Sequence, residues 1–269
     1  MPLVSVIMPT YNRSNMLKKA IESVLSQSFT DYEIIVVDDC STDDTQQVVS
    51  DIKDLRIRYI KTERNSGGSM IPRKTGQGVS DSKYIAVLDD DDYWVDKSKL
   101  ALQVAYLESH VECVMVGTNA VIANGDNSKV AFYHYPNSYI EIKNRLLLYN
   151  CFYHSSVVYR RDVFNIIGQY HIMGSGKYAN FSNDYELWLR MGIAGEIINL
   201  PIYGVGRIYN TPRLNIAGQV YYMIQQIKII RHYKDYYARY WLAIMFKISA
   251  NLARLMLYFL IENGWREKS

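Results

Sequence analysis

Cysteine, proline and long apolar runs are scarce in this sequence, whose 269 residues include three cysteines and six prolines. Cys40, Cys113 and Cys151 lie far apart and form no C-x-x-C pair, which argues against a disulfide framework and a thiolate zinc site. The first apolar run, residues 3–8, follows no basic segment and is too short for the core of a signal peptide. Because 49% of the residues are apolar, we expect a globular protein. Because no signal-peptide pattern is found, we expect it to stay in the cytoplasm.

Glycine is missing from the segment that follows the first predicted strand. Dinucleotide-binding folds carry G-x-G-x-x-G at this turn, whereas residues 9–12 read PTYN. Histidines at paired metal-ligand spacing are missing as well, and His154, although two serines follow it, lacks the glycines of a nucleophile elbow. These absences argue against NAD-dependent chemistry and serine hydrolysis, and we assign no catalytic histidine.

Net charge is small, +3 at pH 7, but it is unevenly distributed. Residues 207–254 contain eight Lys/Arg and one Asp, whereas acids outnumber bases in the part before them. Within this basic part, the apolar stretch 240–261 is interrupted by Lys247, Asn251 and Arg254, whose spacing places them on one face of a helix. The pattern predicts an amphipathic helix that packs on the protein, on a second subunit or on an anionic membrane. The clustered basic residues favour peripheral contact with the inner face of the cell membrane.

Strand-like and helix-like patterns alternate through the first part of the chain. Strand-like segments occur at 4–8, 34–37, 56–60 and 83–88, and a continuous apolar run such as 34–37 is typical of a strand buried on both faces. Helical spacing of apolar residues follows these runs, beginning at Ser14 after the first of them. We therefore predict an α/β fold with a mostly parallel central sheet and helices on both faces. Ligands bind such sheets at the carboxyl ends of the strands.

Four consecutive aspartates, Asp89–Asp92, come directly after the fourth predicted strand. One or two carboxylates together with substrate phosphates are the usual ligands of Mg²⁺, and Mn²⁺ prefers the same oxygens. The alternative is a solvated loop or helix cap, but a surface run has no reason to follow a buried strand so abruptly. The run therefore predicts a divalent cation, Mn²⁺ or Mg²⁺, and a phosphorylated substrate.

Three further residues are candidates for the same site. Asp39 follows the second strand and can accept hydrogen bonds from a base or a ribose, although an Asp before a helix is often only a cap. Arg73 follows the glycine loop 66–68 and is placed to meet phosphate, the alternative being a surface arginine at a helix start. A long loop, 168–183, leads to Asp184 in the first turn of a predicted helix, whose dipole favours an ionised carboxylate that can act as a base.

Five segments together resemble one enzyme family. They are VSVIMPTYNR at 4–13, IVVDDCSTD at 35–43, RNSGG at 64–68, LDDDD at 88–92 and NDYELWLR at 183–190. This succession resembles the family-two inverting glycosyltransferases with the GT-A fold, over most of residues 2–210. The resemblance implies a GT-A domain at 1–218, with a nucleotide-sugar half at about 1–118 and an acceptor half at about 119–218. A basic amphipathic helical tail, 219–269, follows it.

The resemblance also implies roles for individual residues. The implied donor-binding residues are Pro9, Tyr11, Asp39, Arg73, Asp89 and Asp91, the implied metal ligands are Asp92 and Asp91, and the implied general base is Asp184. Tyr11 would lie against the base, Asp92 would be the first direct metal ligand, and Asp89 would contact the sugar or the ribose. Two positions depart from the family pattern. Lys74 stands where members of the family often have an asparagine. Tyr209 replaces a family histidine that can reach the diphosphate.

The reaction that the resemblance implies is sugar transfer from a nucleoside-diphosphate sugar, with uracil favoured over thymine, to a hydroxyl group. The expected acceptor is a glycan or a polyprenyl-diphosphate-linked oligosaccharide of the O-antigen or capsule type. A processive synthase is disfavoured because the sequence has no Q-x-x-R-W element. A non-catalytic nucleotide-sugar binding module and a sugar nucleotidyltransferase remain as alternatives.

Overall fold

The computed structural model describes residues 1–124, 130–168, 170–171, 183–209 and 216–252. The strands are β1 Val4–Thr10, β2 Tyr32–Asp38, β3 Ile57–Lys61, β4 Tyr84–Val87, β5 Asp92–Trp94, β6 Cys113–Asn124, β7 Val130–Tyr133, β8 Val158–Arg160 and β9 Glu196–Tyr209. The α-helices are α1 Ser14–Leu25, α2 Thr45–Asp51, α3 Met70–Gly78, α4 Lys99–Ser109, α5 Tyr139–Arg145, α6 Arg161–Ile167, α7 Asn183–Ala194 and α8 Ile216–His232. A 3-10 helix spans His154–Ser156, and a last helix, α9, is described from 240 to 252.

The described strands form one sheet in the order β3-β2-β1-β4-β8-β6-β9-β5, with β7 added to β6. The first four strands of this order pair in parallel, which confirms the prediction for the first part of the chain. β8 then pairs antiparallel with both β4 and β6, β6 and β9 are parallel, and β5 returns antiparallel to β9. The α/β class with flanking helices is confirmed, and the second half of the sheet is mixed.

Both faces of the sheet are covered at β1, β2 and β4, which is why these central strands are largely apolar. Val4, Val6 and Met8 of β1 pack in the core cluster that includes α1 and α4. Ile7 and, on the neighbouring strand, Ile35 belong to the cluster on the other face, which includes α7. Successive side chains of a strand point to opposite faces, so every apolar position of β1 is buried.

Pro9 does not end the first strand, contrary to the sequence-based expectation that this strand stops at Met8. β1 continues to Thr10, and Pro9 pairs in register with Val37 of β2. The pairing of β1 with β4 ends earlier, at Ile7 opposite Val87. The backbone of Pro9, like that of Ile7 two residues earlier, is directed toward β4 and not toward β2. Because the pairing with β4 has already ended there, the N–H that proline lacks has no partner to lose.

The C-terminal helices dock on α7. Ile229 and Ile230 of α8 are fully buried in the α7 core cluster, as is Ala243 of α9. Between these helices, the Tyr237 hydroxyl donates a hydrogen bond to the Leu189 carbonyl oxygen at 2.6 Å. Part of the predicted tail is therefore packed on the protein. Among the described residues, no helix combines the length and the apolar character needed to cross a membrane.

Candidate active site

A cleft of about 420 Å³ opens at the carboxyl ends of β1, β2 and β4. Its lining includes all six predicted donor-binding residues: Pro9, Tyr11, Asp39, Arg73, Asp89 and Asp91. Thr10, Arg13 and Arg207 contribute to the same walls. The described lining does not include Asp92 or Asp184. The parallel part of the sheet thus brings the predicted donor residues together at the edge where α/β sheets bind ligands.

Asp39 fixes the loop between β3 and α3. Its Oδ2 accepts hydrogen bonds from the backbone N–H and the hydroxyl of Ser66, both at 2.9 Å. The hydroxyl of Thr62 donates to Oδ1 at 3.3 Å.

Tyr11 lies at the rim of the cleft and is 44% exposed. An exposed ring beside a buried carboxylate suits the stacking and hydrogen bonding of a nucleobase.

Arg73 projects from the first turn of α3 and pairs with Asp89, with 2.5 Å between Nη2 and Oδ1. Both side chains are largely buried. Burial alone would raise the pKa of Asp89, but the charge and hydrogen bond of Arg73, together with the charges of His154 and Arg207, outweigh burial and hold this pKa at about 2. The Arg73 Nε has no hydrogen-bond partner in the described part of the chain. Arg73 therefore retains a donor for a further group at the site.

Asp90 points away from its neighbours toward β1. Its carboxylate accepts hydrogen bonds from the Thr10 hydroxyl at 2.8 Å and from Arg13 Nη1 at 2.9 Å. Burial raises the pKa of Asp90 to about 6, although Arg13 and Thr10 counteract it. This contact ties the acidic run to the end of β1.

Asp91 and Asp92 meet Arg207 because β5 pairs with β9. The register places Asp92 opposite Arg207, whose Nη2 lies 2.8 Å from Asp91 Oδ2. Asp92 is only 3% exposed and accepts hydrogen bonds from the hydroxyls of Ser155 and Tyr153, at 2.5 and 3.0 Å. Burial, followed by the charges of Asp89 and Asp91, raises the pKa of Asp92 to about 7.

The acidic run can hold a divalent cation. One carboxylate oxygen from each of Asp89, Asp91 and Asp92 lies within 4.8 Å of the others. This separation fits oxygens at about 2.0–2.6 Å from one ion. Asp91 and Asp92 are the predicted ligands, and the structure adds Asp89 as a third candidate.

Asp184 occupies the first turn of α7, as predicted, because α7 begins at Asn183. Its Oδ2 accepts a hydrogen bond from the Asn150 side-chain amide at 3.1 Å. The charge of Asp184 contributes to raising the pKa of Arg73, so the two groups lie near one another. Of the expected loop 168–183, residues 169 and 172–182 lie outside the described residues, as does the side chain of Tyr209.

Several residues of the site were not singled out from the sequence: Arg13, Tyr153, Ser155 and the charge on Arg207. Arg207 offers a signal in retrospect, since it is a cation inside an otherwise apolar strand pattern. Ser155 and Tyr153 offer none, because they lie about sixty residues beyond Asp92 and their contact depends on β8 lying next to β4.

Comparison with known proteins gives a family match. The family described as Glycosyl transferase family 2 matches residues 5–168. A curated relative is the Escherichia coli UDP-Glc:alpha-D-GlcNAc-diphosphoundecaprenol beta-1,3-glucosyltransferase WfaP, which is 40% identical over 109 residues, covering 40% of this chain and 43% of that enzyme. The chain spans about half the length of the curated relatives it matches.

Solved structures give the fold. Residues 1–349 of Staphylococcus aureus TarS, in complex with UDP-GlcNAc, match with a TM-score of 0.65 at 21% identity, over 84% of this chain and 66% of that chain. The mannosyltransferase PcManGT from Pyrobaculum calidifontis, in complex with GDP-Man and Mn²⁺, matches with a TM-score of 0.63 at 16% identity, over 98% of this chain and 80% of that chain. These likenesses confirm the predicted GT-A fold.

Proposed function

The chain belongs to glycosyl transferase family 2, and on this basis we propose that it is an inverting glycosyltransferase. The donor is a nucleoside-diphosphate sugar, and UDP is the nucleotide that the names of the E. coli relative and the TarS complex favour. The acceptor is a hydroxyl of a glycan or a polyprenyl-diphosphate-linked oligosaccharide, as the name of the E. coli relative suggests. The product belongs to a surface polysaccharide.

The observation that carries this proposal is that three arginines line the same cleft as three aspartates of the acidic run. Arg13, Arg73 and Arg207 all line it, together with Asp89, Asp90 and Asp91. A nucleoside diphosphate presents a uracil ring, two ribose hydroxyls and two phosphates. Tyr11 is placed for the ring, Asp39 for the ribose or base, and the arginines for the phosphates.

A divalent cation on Asp89, Asp91 and Asp92 would neutralise the charge that develops on the departing diphosphate. Arg207 and Arg13 pair with these acids in the structure. We expect both arginines to turn to diphosphate oxygens when a donor binds. Ser155 and Tyr153 keep Asp92 oriented toward the cluster through their hydroxyl hydrogen bonds.

Asp184 acts as the general base in this proposal. Inversion requires the acceptor hydroxyl to attack the anomeric carbon from the face opposite the diphosphate, and the hydroxyl must lose its proton to do so. Asp184 is close enough to Arg73 for its charge to raise the pKa of Arg73, and it is not among the described residues that line the cleft. Asn150 orients its carboxylate through Oδ2.

The test is nucleotide release by the purified chain. We would incubate it with UDP-Glc, UDP-Gal, UDP-GlcNAc or GDP-Man, with Mn²⁺ or EDTA, and with or without a GlcNAc-diphospholipid acceptor. Release of the nucleoside diphosphate that requires both metal and acceptor is the expected result. Binding without release would favour the non-catalytic module, and diphosphate release from UTP and a sugar 1-phosphate would favour a nucleotidyltransferase.

We further propose that α9 and the segment before it bind an anionic membrane surface. Trp241 and Met245 are 73% and 67% exposed, whereas Asn251 on the polar face is 4% exposed and turned to the protein. The apolar face of the helix is therefore the outer one. Exposed basic residues accompany it: Lys228, Arg231, Lys234 and Arg239. An exposed apolar helix face beside clustered cations fits the headgroup region of an anionic leaflet.

Cosedimentation with liposomes tests the membrane proposal. We expect binding to phosphatidylglycerol-containing vesicles that weakens as salt rises from about 0.05 to 0.5 M. The double variant Trp241→Ser/Met245→Ser should lose this binding, and the control Val111→Ser/Ile166→Ser, which removes two exposed apolar side chains elsewhere, should keep it. Equal binding of both variants, or none by the unmodified chain, would contradict the proposal. Point variants are preferable to truncation at 218, which would also remove Tyr233 and Tyr237 from the core.

A further inference from the structure

His154 is a buried histidine whose ring lacks hydrogen bonds. It begins the 3-10 helix His154–Ser156, and its side chain is 12% exposed. Across the described residues, neither Nδ1 nor Nε2 has a hydrogen-bond partner. Buried polar atoms in folded proteins are nearly always paired, and an unpaired one is unfavourable, so this ring calls for a partner that binds from outside.

The ring lies where the donor side of the site meets the base side. Its Nε2 is 4.0 Å from Asp89 Oδ1, and Asp89 is the partner of Arg73. Asp184 is near enough to act on the charge of the ring. The rings of Trp188 and Tyr170 close the other sides, with centroids 5.8 and 6.2 Å away. A group that contacts His154 would therefore lie between the diphosphate-binding residues and the proposed base.

The chemistry of this position suits a hydroxyl group. An imidazole ring can present an N–H at Nε2, which makes it a hydrogen-bond donor to an oxygen placed between it and Asp89. A distance of 4.0 Å is too long for a hydrogen bond, but one oxygen can lie about 2.8 Å from both atoms. A hydroxyl there would donate to the Asp89 carboxylate and accept from His154, which a phosphate oxygen without a proton cannot do.

We propose that His154 and Asp89 together hold one hydroxyl of the sugar that is transferred. This inference rests on the proposed function, since it assumes a nucleotide-sugar donor in the cleft. His154 is then a residue that contacts the donor sugar and selects among sugars by the position of that hydroxyl. Ser155, the next residue of the same 3-10 helix, hydrogen bonds to Asp92, so one short segment orients both the acidic cluster and the sugar.

The test compares UDP with UDP-sugars. His154→Phe keeps an aromatic ring against Trp188 and Tyr170 and removes both nitrogens, whereas His154→Gln restores a donor and an acceptor. His110→Phe is the control, at a half-buried histidine stacked on Tyr106. Binding of UDP, UDP-Glc and UDP-GlcNAc would be measured by calorimetry with Mn²⁺. For His154→Phe we expect UDP affinity within about twofold of the unmodified chain and about tenfold weaker binding of the preferred UDP-sugar, the size of one hydrogen bond. His154→Gln should recover part of the loss.

Deoxygenated donors identify the hydroxyl. If the inference is right, one deoxy analogue of the preferred UDP-sugar binds equally well to the unmodified chain and to His154→Phe, while the other analogues keep the tenfold difference. Equal weakening of UDP and UDP-sugar, or the same ratio for every analogue, would overturn it in favour of a structural role or a bridging water. A chain that binds no UDP-sugar at all would overturn the proposed function as well, which separates the two failures.

Discussion

Neighbouring residues of the acidic run face different partners, although all four carry the same side chain. Asp89 pairs with Arg73, Asp90 with Arg13 and Thr10, Asp91 with Arg207, and Asp92 with the hydroxyls of Ser155 and Tyr153. Asp89, Asp91 and Asp92 converge on one point, whereas Asp90, which lies between the first two in sequence, turns to β1. Four adjacent carboxyl groups are tolerated because each has ionic or hydrogen-bonding partners, and because the pKa values of Asp90 and Asp92 are raised.

Asp184→Asn tests the proposed base. Asparagine keeps the size of the side chain and can accept a hydrogen bond from Asn150, but it cannot take a proton from an acceptor hydroxyl. We expect turnover to fall at least about 10²-fold while UDP affinity stays within about twofold. Steady-state kinetics beside UDP calorimetry would measure both, and turnover near that of the unmodified chain would rule out Asp184 as the base.

Asp92→Ala tests the metal site. The substitution removes one of three converging carboxylates and leaves the hydroxyls of Ser155 and Tyr153 without their acceptor. We expect donor binding to lose its dependence on Mn²⁺, as measured by calorimetry with and without EDTA. Asp81→Ala, at a carboxylate that is 77% exposed, should leave that dependence unchanged. Full activity of the unmodified chain in excess EDTA would contradict the metal assignment itself.

The helix and the strand that carry Arg73 and Arg207 are packed closely against neighbouring strands. α3 carries Arg73 and lies directly on β1, with Gly76 as the point of contact. β5 and β9 approach in the same way, since a Cβ at Gly206 would lie 2.6 Å from the Tyr93 ring. The positions of Arg73 and Arg207 thus depend on helix and strand placement as well as on their own rotamers.

Gly76→Ala tests the placement of α3. The added methyl group would lie 2.7 Å from Ile7 Cγ2 and 3.2 Å from Val37 Cγ2, so α3 must move away from the sheet. We expect a loss of about 1–3 kcal/mol in the free energy of unfolding and weaker UDP binding. Gly78→Ala in the same helix meets open space, and it should be neutral or stabilising by up to about 1 kcal/mol. Denaturant titration of the two variants compares them, and similar losses would contradict the packing argument.

Lys99 of α4 predicts a pH dependence of stability. The side chain is fully buried, its Nζ contacts Gln103 Oε1 at 2.7 Å, and burial lowers its pKa well below 10.5. Between this lowered pKa of the folded chain and about 10.5, the unfolded chain binds one more proton at Lys99 than the folded chain does, so stability rises with pH over that window. Lys99→Met removes this titrating group, so the free energy of unfolding should rise with pH less steeply, by up to about 1.4 kcal/mol per pH unit, which corresponds to one proton. If the free energy of unfolding changes equally with pH in the unmodified chain and in Lys99→Met between pH 7.5 and 9.5, the ammonium keeps its charge over the Trp94 ring, 3.9 Å away.

The sequence predicted the parallel strands and the grouping of the candidate donor residues because both depend on local patterns. Apolar runs followed by polar residues identified β1, β2 and β4, and their carboxyl ends share one edge, so Asp39, Arg73 and Asp89 come together. The antiparallel part depends on pairings between distant segments, which periodicity does not reveal. The contact of Arg207 with Asp91 follows from the β5–β9 register, and no local pattern specifies that register.

On the scale of the whole molecule, ligand binding links the acidic cluster to global stability. The cluster offers few protein oxygens, so Mn²⁺ alone should bind weakly until the diphosphate completes its coordination. We expect Mn²⁺ alone and UDP alone to raise the unfolding temperature little, and the two together to raise it by more than the sum. Differential scanning fluorimetry over a range of both ligands measures this, and additive shifts would contradict cooperative binding.

The pairing of β5 with β9 has a consequence for how the protein is made. It joins Asp91 to Arg207, 116 positions later, so the cleft lacks one wall until the ribosome has released β9. The region shared with the family, 5–168, also leaves the ribosome before Asp184 and Arg207 do. A nascent chain can thus pair β1 to β4 early, since domains fold from the N-terminus during synthesis, but it acquires Asp184, the proposed base, and Arg207 late. Premature release would therefore yield a chain without the proposed base and without one wall of the cleft.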